Sequence, residues 1–164
     1  MSTSTAPSTF RVEKRRADAT VTLSSGQTER GCFFLASSSS RHDGPERVAD
    51  LLNSEPGFFP FEIHDGGGTR TVLYHRSHVL IVTLAEDEAS RDPGYGVATR
   101  RLVSLVLSNG QRVSGTVRVY RPEGRDRVSD WTHQPETFRY LDTGEMTIVV
   151  NLAHIVEVSE GSEP

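Results

Sequence analysis

Short runs of alternating polar and apolar residues make up most of the chain, punctuated by glycine, proline and serine. Thr20, Val21, Thr22 and Leu23 alternate with the period of a half-buried strand. Ser24, Ser25, Gly26 and Gln27 supply a turn in which Gly26 can take positive φ, and residues 32–36 resume the strand. This predicts a hairpin. Beyond the polar link Ser37 to Ser40 the period changes. Asp43 or Gly44 can cap a helix, Pro45 suits its first position, and Glu46 favours the positive end of its dipole. Val48, Leu51 and Leu52 then form one apolar face, and Pro56 with Gly57 ends the helix. The aromatic stretch 58–63 reads as a strand that Pro60 assigns to an edge or a bulge. After a glycine turn at 65–69, residues 71–75 and 78–84 read as two more strands.

The same order then recurs. Residues 23–31 read Leu-Ser-Ser-Gly-Gln-Thr-Glu-Arg-Gly, and residues 107–115 read Leu-Ser-Asn-Gly-Gln-Arg-Val-Ser-Gly. The hairpin glycines Gly26 and Gly31 thus correspond to Gly110 and Gly115. Further on, Gly44, Arg47, Val48 and Asp50 match Gly124, Arg127, Val128 and Asp130, and His78 matches His154. The pattern in each copy is β–β–short helix–β–β–β. We place a polar tail at 1–10, a first copy at 11–85, a linker at 86–97, a second copy at 98–160 and a tail at 161–164. Five short strands around a small core imply a mainly β fold in which each copy is a strongly bent sheet or a small barrel, with a helix between its second and third strands. Modules this small bury little surface alone, so the copies are expected to pack together or to oligomerise.

Composition narrows the function. The 22 acidic residues outnumber the 18 basic ones, which argues against a protein that coats nucleic acid generally. The single cysteine, Cys32, fits a reducing cytoplasm and reads as a small buried hydrophobe. No apolar run approaches the roughly 18 residues of a membrane span.

The paired hairpin glycines, the aromatic third strand and the closing segments 72–82 and 148–158, each an apolar strand, a polar corner and a second apolar strand, resemble the Sm-like family. These are SH3-like five-stranded barrels that include the bacterial RNA chaperone Hfq, and the chain resembles bacterial proteins carrying the module in tandem. The resemblance implies edge-to-edge joining of barrels and, in some members, RNA binding. The chain departs from the family pattern in lacking an N-terminal helix, and its helix stands where the base-binding loop would be. Its corners, His75-Arg76-Ser77 and Asn151-Leu152-Ala153, lack the Arg-Gly or Tyr-Lys-His pattern of RNA-binding members; only the first is basic, and Tyr74 with His75 gives that copy a partial likeness to the Hfq corner.

Candidate chemistry is sparse. His75 and His78 are three apart and point to opposite faces of a strand, so shared metal ligation needs a bend. His78 and His154 read as structural, each with a ring nitrogen bonded to backbone. Arg47 with Asp50, and Arg127 with Asp130, read as ion pairs on the inserted helices. The sharper alternative is a rim for an anion or RNA, formed by Arg41, Arg47, Tyr74, His75, Arg76, Arg121, Arg125 and Arg127. Interleaved Asp43, Glu46, Glu123 and Asp126 weaken its field. Trp131, Tyr120 and Tyr140 suit core packing better than base stacking. No phosphate loop, nucleophile motif or metal-spaced ligand set appears, so no catalytic, cofactor or metal residue is assigned. The expectation is a non-enzymatic, cytoplasmic interaction module that self-associates or docks a protein partner through strand edges. An Hfq-like RNA-binding regulator is the alternative, and neither a membrane nor a small-molecule substrate is implied.

Overall fold

The computed structural model describes residues 14–39, 42, 44–122 and 124–161. Ten strands and two short helices follow the predicted order: β1 (Lys14–Leu23), β2 (Thr28–Ala36), α1 (Val48–Ser54), β3 (Phe58–Asp65), β4 (Gly68–His75), β5 (Val79–Leu84), β6 (Thr99–Leu107), β7 (Arg112–Val119), α2 (Val128–Thr132), β8 (Phe138–Asp142), β9 (Thr147–Asn151) and β10 (Ile155–Glu160). A 3-10 turn forms each polar corner, Arg76–His78 and Leu152–His154. No helix among the described residues is long and apolar enough to cross a membrane.

Hairpin formation follows the glycines. Gly26 and Gly110 have φ of 93° and 88°, and each turn closes through two backbone bonds, Leu23 with Gln27 and Leu107 with Gln111 among them. Gly31 and Gly115 have a different role. A Cβ at Gly31 would lie 1.8 Å from the Glu62 carbonyl oxygen, and one at Gly115 would lie 2.4 Å from that of Asp142. These glycines let a neighbouring strand cross close by.

The strands do not close into two separate barrels. They form one open antiparallel sheet in the order β10-β6-β7-β8-β9-β5-β1-β2-β3-β4. Within each half the last strand pairs with the first, β5 with β1 and β10 with β6, while β4 is not paired with β5. The far edge of β5 instead takes β9 of the other half, with Ile81, Val82 and Thr83 opposite Val150, Val149 and Ile148. Burying this apolar edge against an equally apolar strand joins the halves. Each half has its own core, and the junction interleaves them. Phe138 and Val149 of the second half pack with Val21, Phe33, Phe59 and Phe61 of the first, whereas Leu80 and Ile81 of the first pack with Leu105, Val119, Trp131 and Leu141 of the second.

Two local expectations need correction. Helix α1 starts at Val48 with Arg47 at its cap, rather than at Pro45, because Asp50 reaches back to accept the Arg47 N–H at 2.8 Å. Strand β3 is not an edge: it lies between β2 and β4, and Pro60 is tolerated because the β2 pairing stops at Phe61. The linker is also part of the packed structure. Glu88 is buried and accepts the first helical N–H groups of α1, from Val48 at 2.9 Å and Ala49 at 3.1 Å. The polar tail at 1–10, the start of the first copy at 11–13, Arg41, Asp43, Glu123 and residues 162–164 of the final tail lie outside the described residues.

Candidate functional site: the free strand edges and the cleft between the halves

The junction between β5 and β9 is the template for the site. Asn151, fully buried at the end of β9, donates through Nδ2 to the Val79 carbonyl at 2.9 Å and accepts the Ala153 N–H through Oδ1. His154 is set by its neighbours on both nitrogens: Nδ1 bonds the Ser108 hydroxyl at 2.7 Å, and Nε2 bonds the Ser77 carbonyl of the first half. Asn53 of α1 clasps the Phe138 backbone with two bonds of 2.9 Å. Polar side chains thus satisfy the backbone groups at the junction's end, and apolar ones fill its middle.

Duplication makes the outer ends of the sheet comparable with this junction. Pairing of β3 with β4 and of β8 with β9 makes Phe58 the equivalent of Phe138, and Leu73 that of Val149. Pairing of β1 with β5 and of β6 with β10 makes Val156 the equivalent of Leu80. At the free ends Phe58, Leu73 and Val156 are 60%, 64% and 67% exposed; their counterparts at the junction are 4%, 0% and 0% exposed. His78 repeats His154, with its Nδ1 on the Ser24 hydroxyl at 3.0 Å, and stands exposed at the free end. The unpaired edges of β4 and β10 therefore carry the two complementary sides of the junction that β9 and β5 make inside the chain.

A cleft of about 290 Å³ lies between the halves. Arg47 lines it and is committed to carboxylates: Nε lies 3.3 Å from Asp50, and Nη1 bonds Asp92. Burial works to weaken the charge on Arg47, but Asp92 and Asp50 outweigh it and hold the guanidinium more firmly protonated than usual. Burial works to raise Asp50, yet the Arg47 N–H, His42 and the Arg47 guanidinium together bring it below the ordinary carboxylate range. Arg139, buried where the first half has Phe59, is lowered to about 10 by burial; it lies over Trp131 and donates to the backbone carbonyls of Glu136 and Gln134. Burial, then Asp92, pushes the Tyr120 hydroxyl up to about 12. Tyr140 is raised by burial and then by Glu88, to which it donates at 2.9 Å.

The arginine rim disperses. Arg47 lies in the cleft. Arg76 is buried and donates to the Phe58 and Leu51 carbonyls at 2.8 and 3.0 Å. Tyr74 packs against the first core, and His75 accepts at Nδ1 from the Ser77 N–H. Only Arg121, Arg125 and Arg127 of that set are exposed, all in the second half, and Arg41 is outside the described residues. His75 and His78 meet edge to face, with ring centroids 5.9 Å apart. The expected ion pair on α1 is present at 3.3 Å; on α2, Asp130 accepts the Arg127 N–H at 2.9 Å. Trp131 is a core residue. Sequence reasoning missed Glu88 and the exposed edge trio. The trio was detectable in principle, since aligning the two copies sets Leu73 against Val149 and Val156 against Leu80. No protein-family model, no curated protein and no solved structure matches this chain.

Proposed function

We propose that the protein is a non-enzymatic assembly module of tandem Sm-like halves that adds copies of itself head to tail, β4 of one chain beside β10 of the next. The observation that carries this is the edge trio: Phe58, Leu73 and Val156 are exposed at the free ends, while their equivalents are buried at the internal junction. Fully burying one such side chain is worth about 1.5–3 kcal/mol, so three of them supply a real driving force. The internal register transfers directly: Glu157, Val158 and Ser159 of one copy fall opposite Tyr74, Leu73 and Val72 of the next. The interface is heterologous, so repeated addition gives a ring if its rotation closes and a filament if it does not. Unpaired apolar edges left without a partner would be an aggregation hazard, which also favours a dedicated occupant.

The RNA-binding alternative draws less support, because Arg47, Arg76 and Tyr74 are engaged within the fold. Two blocked variants test the assembly reading. Leu73→Asp keeps a usable β10 edge, and Val156→Asp keeps a usable β4 edge. Each alone should be monomeric, and an equimolar mixture should form heterodimers that grow no further. Variants that retain the parent's mass, or a mixture that stays monomeric while the parent assembles, would sink the head-to-tail reading.

A further inference from the structure

We propose that the buried Cys32 and Glu62 and the exposed His64, on the face of β2 and β3 opposite that of Phe33, Phe61 and Ile63, bind a borderline-soft divalent cation of the Zn2+ class. The strand register assembles the site. Cys32 lies directly opposite Glu62, and His64 follows Glu62 at the spacing that returns to the same face. On its other side Cys32 is opposite Asp18 of β1, which places a second carboxylate in the same cross-strand row. Glu62 Oε1 is the centre of the group: it accepts from Cys32 Sγ at 3.7 Å and lies 3.1 Å from His64 Nε2. All three donor atoms lie within 4.8 Å of one another.

These separations suit a metal. Bonds of about 2.0–2.3 Å in a tetrahedral site require donor atoms about 3.3–3.8 Å apart. The sulfur–oxygen distance already falls there, and the half-exposed His64 side chain can rotate to open the other two edges. Thiolate, imidazole and carboxylate together favour zinc over magnesium or calcium, which take oxygen ligands. The fourth position falls to Asp18 or to water. Arg16 Nη2 lies 3.4 Å from Glu62, but on Oε2, so Oε1 remains directed at the cysteine and histidine. Arg16 is itself exposed, and its charge opposes a cation. The site lies on neither β4 nor β10, so it is independent of the assembly edges.

The test uses the full chain stripped with chelator and titrated calorimetrically with Zn2+, with Co2+ as an optical probe. One Zn2+ per chain should bind, and Co2+ should give the sulfur-to-metal charge-transfer band of a thiolate ligand. His64→Ala, at a half-exposed position that leaves the fold intact, should weaken binding by at least about tenfold, as should Cys32→Ser; loss of even an outer-shell partner costs that much. Arg16→Gln should tighten it. Absence of stoichiometric binding, a Co2+ complex without the thiolate band, or affinity unchanged in His64→Ala would overturn the assignment.

Discussion

Asp50 sits nearly enclosed at the start of α1, serving the Arg47 N–H, the Arg47 guanidinium and His42 at once. Its carboxyl is held below the ordinary value of 3.8, so its stabilisation is present above that pH and is lost as pH falls through the lowered value. Asp50→Asn should therefore cost about 1–3 kcal/mol at neutral pH. In urea melts the gap to the parent should narrow below pH 3.8. A gap independent of pH would show that the charge is not what matters. The glycines separate two roles at the same scale. Gly31→Ala meets a carbonyl oxygen and should cost about 3 kcal/mol, whereas Gly26→Ala has open space, strains only its φ and should cost about 1 kcal/mol. Equal thermal shifts for the two would refute the close-approach account. The sequence showed that both glycines recur, but only the crossing strand, thirty residues further on, separates a turn glycine from a clearance glycine.

Strand and hairpin positions were legible because alternation and turn chemistry are local. The start of α1 was not, since Pro45 and Glu46 carry the usual N-terminal signals while the real partners are Asp50 and the distant Glu88. The arginine rim failed for a related reason: residue type gives charge, and burial decides whether the charge is available. Arg76 and Arg47 have the right chemistry and the wrong exposure for a rim. The proposed β4–β10 pairing makes a sharp prediction at this scale. Leu73 and Val158 should be directly opposite across two copies, at the 4.5–5.5 Å Cα separation of an antiparallel pair, within reach of a disulfide. A Leu73→Cys, Val158→Cys double variant should cross-link between chains on mild oxidation, seen as a ladder on a non-reducing gel. Cross-linking equally efficient for Leu73→Cys with Ser159→Cys would contradict the register.

Across the whole molecule, the duplication was readable from matched motifs, yet the way the halves join was not. Pairing of β5 with β9 depends on edge shape and burial far apart in the chain, and the open ten-stranded sheet follows from it. An internal heterologous junction leaves its two complementary sides at opposite ends of the sheet. That geometry, with exposed Phe58, Leu73 and Val156, makes self-addition the central claim. Its most direct measurement is the absolute mass of the parent chain by multi-angle light scattering, from low to high micromolar concentration. Head-to-tail addition predicts assemblies whose mass is two or more times that of the 18.1 kDa chain, in whole-number steps, and grows or saturates with concentration. A single species at the mass of one chain throughout that range would contradict it.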